Sequence, residues 1–370
     1  MVYHAPDRAA LGERAAVPQL YSEHAGDVSA SFTRDIGTRF KPWLNRVTQR
    51  MECLFRPLGR NQLAAFYDLG EYPASFDIVY FSVAAQACAL RSGLTGVHVY
   101  LVNGAHGGVR REEPDYEAAY PPAQRNYVVS QVLETLPRLA LLCGRTAFRI
   151  EPHEMRRMAA MYPAYYALHM ENQWNPLHRV RREAHAAWRE LGECLAFSAS
   201  EGAKSLMEDW LKAQGIHAAP LVLTMRDRKW SHGRNSDGGG WREFLDVLRE
   251  RGIPAVVIPD TERVFERAEF SEYGVPACVP ASINTELRLA LCELARMNFT
   301  VNTGPGTMLL FSKAPYRYFT NLDTTKESST ALWEEIGLPP GSQLSSDVGK
   351  QKIVWEPDSF ENLVKELDSI

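Results

Sequence analysis

The sequence predicts an α/β protein built on parallel sheets, and three observations carry that expectation. Short apolar, β-branched runs such as "VHVYLVNG", "APLVLTMRD" and "IPAVVIPD" recur along the chain, each ending in polar or glycine-rich residues. Helix-length stretches separate them, so strand and helix alternate in the order that right-handed crossovers turn into a parallel sheet. At 370 residues the chain is also long enough for two such domains.

Taken in order, residues 1–60 read as a polar, proline-interrupted lead-in, with a helical stretch beginning near Lys41-Pro42-Trp43. An N-terminal α/β domain, on the acceptor side, is expected over residues 61–153. In it "FDIVYFSVAAQACALRSG" predicts a short strand running into a helix that stops at Gly93, and "VHVYLVNG" a strand ending in the loop "NGAHGG". A helix from Ala123 to Leu142 and a short strand at "AFRI" follow. Residues 154–188 are aromatic, basic and broken by two prolines, and a helical join is expected over residues 154–215.

The second α/β domain is expected over residues 216–345. "APLVLTMRD" is a strand, "WREFLDVLRERG" an amphipathic helix closed by Gly252, and "IPAVVIPD" the next strand. "ASINTELRLALCELARM" predicts one helix with Asn284 or Thr285 as N-cap. "FTVNTGPGT" is a strand, "MLLFSKA" a short helix and "YRYFTN" a further strand. Residues 346–370 supply a last strand and a helix opening with the box Asp358-x-x-Glu361, placed to pack back across the domain join.

Lysine and arginine number 41 against 45 acidic residues, so no global positive field draws nucleic acid or an anionic membrane. The six cysteines are scattered and form no C-x-x-C, which points to reduced, mostly buried thiols rather than disulfides or a zinc site. The N-terminal residues lack the apolar core of a signal peptide, and nowhere do about 18 uncharged apolar residues run together. A cytoplasmic protein is expected, with peripheral membrane association left open.

Ligands of an open parallel sheet collect beyond the carboxyl ends of its strands. Three polar clusters of the second half fall there: Thr224, Arg226, Asp227 and Arg228, followed by "HGRNSDGGG"; Asp260, Thr261 and Glu262; and Asn302-Thr303-Gly304-Pro305-Gly306-Thr307. A helix starting at Pro305 would offer unpaired amides to an anion, and glycines at 304 and 306 would let a ligand approach closely. The same turn is equally an ordinary glycine turn with Asn302 as helix cap. Arg226, Arg234 and Asn235 could clamp a diphosphate; Arg228 and Lys229 read as solvent-facing. Asp260 could bind a sugar or ribose hydroxyl, or cap its own turn. Glu286 and Glu293 read as a solvated helix face, with Arg288 on another face that could turn to the cleft. In the first half His106 of "NGAHGG" is the candidate general base, or else a turn histidine in water. Asp77 is set aside because it precedes an expected strand, the wrong end for a site. The histidines and methionines of the join show no metal-ligand repeat.

The pieces "LVLTMRD", "VVIPD" and "LRLALCELARMNFTVNTGPGTMLLFS" resemble the nucleotide-sugar-binding domain of GT-B glycosyltransferases, heptosyltransferase-like members in particular, over residues 220–320. The resemblance implies two Rossmann-like domains facing a cleft, with sugar moved from a nucleotide-sugar donor to a glycan or lipid-linked acceptor in surface-polysaccharide synthesis. By the same likeness Arg226 and the 302–307 turn hold the diphosphate, and Asp260 or Glu262 lies near the nucleoside. His106 serves as base, and no metal or further cofactor is needed. Such members often carry a histidine soon after the proline, where this chain has Gly306, Thr307 and Met308. Two alternatives keep the fold: a nucleotide-sugar 2-epimerase or hydrolase, and a degenerate binding or scaffold protein.

Overall fold

Strand β1 (Gln62–Asp68) carries five consecutive buried residues and forms the middle of the first sheet. In the computed structural model, residues 61–161, 165–167, 176–228, 234–261, 264, 274–322 and 329–370 are described; the expected lead-in over residues 1–60 lies outside them. Strands β2 (Gly96–Val102), β3 (Phe148–Ile150) and β4 (Tyr165–Ala167) pair in parallel with it, in the order β3-β2-β1-β4.

The segment "IVYFSVAA", expected to begin as a strand, is helical: α1 spans Ile78–Arg91. Every residue from Ile78 to Ala87 is buried, so the segment has no solvent face to betray a helical period. Gly93, at φ 68°, ends this helical stretch as expected. The correction moves Asp77. It follows β1 rather than preceding a strand, and so stands on the carboxyl side of the sheet.

After α2 (Pro114–Ala119), the single helix expected over residues 123–142 is instead α3 (Pro122–Val128), a π turn at Val129–Leu133 and a 3-10 turn at Leu136–Leu139 that contains Pro137. The expected helical join is not wholly helical. Between α4 (Pro152–Met161) and α5 (Pro176–Leu191) it contributes β4, and α5 packs on α1. Helix α6 (Glu201–Ala213) follows, capped by the Ser200 hydroxyl.

The second sheet comprises β5 (Leu221–Thr224), β6 (Ala255–Ile258), β7 (Met297–Val301), β8 (Tyr316–Phe319) and β9 (Gln351–Val354), all parallel, in the order β6-β5-β7-β8-β9. The final strand therefore belongs to this sheet, and a boundary at residue 345 would cut through it. Helix α7 (Gly238–Glu250) joins β5 to β6. The next expected helix is two, α8 (Val279–Ile283) and α9 (Thr285–Leu294). Asn284 takes an extended φ/ψ between them, and its Oδ1 accepts from the Glu286 and Leu287 amides. Helices α10 (Gly304–Leu310), α11 (Thr330–Glu335) and α12 (Phe360–Leu367) complete the chain.

Helix α12 packs on α7 of its own sheet rather than across the join. Its cap is Ser359, not Asp358; Asp358 accepts from the Trp241 indole at 2.7 Å. One apolar cluster runs from the first sheet through α1 and α5 to Phe311 and Tyr318 of the second half, so the two halves share a core. No helix among the described residues is long and apolar enough to cross a membrane.

Candidate functional site

From β5 the chain turns to β6 on one side, then crosses to β7 on the other, so the strand order reverses between β5 and β7. Loops leaving those two strands must part, which opens a crevice above their carboxyl ends. A cavity of about 370 Å³ lies there. Thr224 at the end of β5, Met225 and Arg228 after it, Pro259–Thr261 after β6 and Thr303–Pro305 after β7 line it, together with Arg288 of α9. The first half closes it with Ala74–Phe76, from the loop after β1, and with Tyr116, Tyr120 and Arg125 of the α2–α3 region.

The loop after β5 is folded back on itself. The Arg226 amide donates to Ser236 Oγ at 3.0 Å, and its carbonyl accepts from the Ser236 amide. Asn235 brackets Arg228: Oδ1 accepts its amide and Nδ2 donates to its carbonyl, both at 3.0 Å. This ladder presents Arg228 to the cavity, with its guanidinium 5.3 Å from the Tyr120 ring centre. Arg228, expected in solvent, is thus a wall residue, whereas Arg226 is 6% exposed and does not line the cavity. Lys229–Gly233 lie outside the described residues.

The turn after β7 is well satisfied internally. Thr303 is the cap of α10, in place of Asn302, and its Oγ1 accepts from the Gly306 amide at 3.1 Å. Thr307 donates its amide to the Thr303 carbonyl, and Pro305 has no N–H, which leaves the Thr303 and Gly304 amides of that turn without a partner among the described residues. Asn302 Oδ1 accepts from the Tyr318 hydroxyl, and its carbonyl accepts from Arg234 Nη2 at 3.2 Å. A Cβ at 304 would stand 2.8 Å from Phe76 Cδ2, and one at 306 would stand 2.9 Å from the Val301 carbonyl. Both glycines answer to close packing by protein.

Asp260 lines the cavity, and its Oδ2 accepts from the Asp227 amide at 3.3 Å, tying the β5 and β6 loops together. Thr261 donates to the Ser282 carbonyl and Ser282 to the Pro259 carbonyl, which fixes α8 against the end of β6. Glu262 lies outside the described residues. His106 sits in a tight hairpin over residues 104–109, with Nε2 3.5 Å from Glu117 Oε1, and does not line the cavity.

Glu286 and Glu293 are not a solvated face. Glu286 pairs with Arg138 and accepts from the Ser200 amide; Glu293 pairs with Lys204 and accepts from the Ala199 amide. Asp77, set aside from the sequence, is bound at Oδ1 by Arg181 at 2.7 and 3.0 Å, and at Oδ2 by the Ser75 hydroxyl at 2.6 Å. Burial pushes its carboxyl up, but Arg181 and Ser75 outweigh that and hold it below the usual carboxylate range. Its neighbours Ser75 and Phe76 line the cavity. Sequence reasoning undervalued Arg228 and Arg288 as well. For Arg288 one signal existed: Leu291 and Cys292, three and four residues on, place its charge on an apolar helix face. No group of three or more metal-ligating side chains gathers among the described residues.

No family model matches the sequence, and no curated protein matches it. Among solved structures the fold is similar to a glycosyl transferase family 9 protein from Veillonella parvula, at 9% identity over 85% of this chain and 98% of that one, with a TM-score of 0.44. It is similar also to the E. coli ADP-heptose LPS heptosyltransferase II, at 10% identity over 83% and 98%, TM-score 0.45. A third is the UDP-GlcNAc 2-epimerase from Methanocaldococcus jannaschii, at 11% identity over 83% and 92%, TM-score 0.36. Two parallel sheets with a cavity lined from both halves, as expected from the sequence, is the arrangement this chain adopts.

Proposed function

We propose that this protein is a glycosyltransferase that moves a sugar from a nucleotide-sugar donor to a glycan or lipid-linked acceptor, acting in the cytoplasm in surface-polysaccharide synthesis. The observation that carries this reading is where the cavity lies. It stands at the β5/β7 crossover of the second sheet and beneath the loop that follows β1 of the first, so a donor on one half would meet an acceptor on the other. Thr224, Arg228, Thr303 and Gly304 would flank the diphosphate, with Asp260 towards the nucleoside. Arg226, Arg234, Asn235, Asn302, Pro305, Gly306 and Thr307 would hold the two loops in shape.

In the reaction the acceptor hydroxyl oxygen attacks the anomeric carbon while the bond to the diphosphate oxygen breaks. The hydroxyl proton passes to a base, and guanidinium charge stabilises the departing diphosphate. His106 and Asp77 are the two candidates for that base. Loss of the true one, as His106→Gln or Asp77→Asn, should lower kcat by about 10²–10⁴-fold. As the resemblance to GT-B enzymes implies, no metal ion takes part, so chelation should leave turnover unchanged.

A panel of nucleoside diphosphates tests the reading through melting temperature. A matching diphosphate at a hundred times its Kd adds about 2.7 kcal/mol of stability; a protein that responds to none is not a nucleotide-sugar enzyme. One observation favours a binding or scaffold role instead. Among the described lining residues Asp260 is the sole carboxylate, and there is no histidine. A thermal response without sugar transfer or hydrolysis would select that second reading.

A further inference from the structure

We propose that Arg288 is the anion receptor of the cavity, its guanidinium receiving an oxyanion of the bound ligand. On the function proposed above, that oxyanion is a phosphate of the donor; the ligand's identity rests on that reading, the receptor role does not.

Arg288 is only 5% exposed, yet it lines the cavity. Its Nε donates to the Ala281 carbonyl at 2.9 Å, which fixes the plane of the guanidinium, while its two terminal nitrogens have no hydrogen-bond partner among the described residues. Among the described residues no carboxylate bonds to it. Asp260 acts on it through space, with one oxygen engaged by the Asp227 amide. The neighbouring thiols supply no counter-charge, since burial pushes Cys278 up to about 11 and Cys292 up to about 12. Arg125, also in the wall, differs: it donates to the Tyr120 and Arg110 carbonyls and to Glu117.

A guanidinium taken out of water without a hydrogen-bonded counter-ion is costly, and removal of one partner of a buried pair is among the more destabilising changes known. Here the missing partner has a place to come from, because the terminal nitrogens belong to a side chain that borders a cavity large enough for a diphosphate group. A planar fork fixed at Nε and vacant at its ends matches two oxygens of a phosphate or carboxylate.

The test compares wild type with Arg288→Met in phosphate-free buffer, by melting temperature and calorimetric titration. The probes are inorganic pyrophosphate, the nucleoside diphosphates and the corresponding nucleosides. The expected result is a ligand-free variant at least as heat-stable as wild type, with affinity for pyrophosphate and diphosphates lowered tenfold or more and nucleoside binding unchanged. Wild-type pyrophosphate affinity in the variant overturns the proposal. So does a loss confined to the nucleosides, which would make Arg288 a reader of the base edge. If Arg288→Met is too unstable to assay, Arg288→Lys decides: a folded variant at least tenfold weaker for pyrophosphate supports the fork, and unchanged affinity refutes it. Pyrophosphate binding that depends on Arg288, with no response to any nucleoside diphosphate, would remove the proposed function and leave the receptor standing. No response of wild type to pyrophosphate or any diphosphate removes both.

Discussion

Gly306 lies where three neighbours converge on the space a side chain would need: the Val301 carbonyl, the Tyr318 ring at 3.0 Å and Thr303 Oγ1 at 3.1 Å. Gly306→Ala should therefore cost about 1–3 kcal/mol in chemical denaturation, and wild-type stability would refute the packing account. His185 tests burial in another way. Its Nδ1 donates to the Ile336 carbonyl at 2.9 Å, and its Nε2 is buried without a partner, so a second proton would have no acceptor. Burial drives its pKa down to about 4. Between that value and the ordinary one near 6.5 the unfolded chain binds the proton and the folded one does not, so stability should fall as pH drops through this window, by about 3 kcal/mol at the lower end. Urea melts at pH 7 and pH 4.5 should show His185→Gln losing much less stability on acidification than wild type. An equal loss would refute the assignment.

The element ends carry the next set of expectations. Helix α12 is held at its start by two adjacent residues with different tasks. The Ser359 hydroxyl accepts from the Asn362 amide, and the Asp358 carboxylate accepts from the Trp241 indole, binding α12 to α7. Ser359→Ala should cost about 1 kcal/mol as a lost cap. Asp358→Ala should cost about 1–3 kcal/mol, because the indole N–H of a fully buried Trp241 is left unsatisfied. A Ser359→Ala loss near zero in denaturant melts, with the whole cost at Asp358, would show that the box begins at Asp358 after all. Asn284 was legible as a cap in the sequence, since its type and its place before an apolar helix are local facts. The break it makes between α8 and α9 was not, because both helices are apolar on the side that meets β6 and α6.

At the scale of the molecule, the contact between Asp77 and Arg181 joins the loop after β1 to α5, across a segment the sequence assigns to a separate join. With both partners largely buried, Asp77→Ala should fall at the lower end of the roughly 3–5 kcal/mol lost when one member of a buried pair is removed. A loss below about 1 kcal/mol would mark the pair as solvent-screened. Asp77→Asn, which keeps the shape, separates this structural part from any role in turnover.

Local pattern determined much of this protein. Alternating strands and helices fixed two parallel sheets, and polar, glycine-rich strand ends marked where a site could lie, because periodicity and turn chemistry are properties of a short window of residues. Tertiary structure decided what no window contains. The pairing of Thr224 with Thr300 sets β5 beside β7 and so places the crossover. The all-round burial of α1 erased its period, and the packing of α9 against α8 turned Arg288, rather than Arg226, to the cavity wall. Which charge faces a cavity depends on neighbours far apart in sequence, whose burial alone assigns it a cost and a partner.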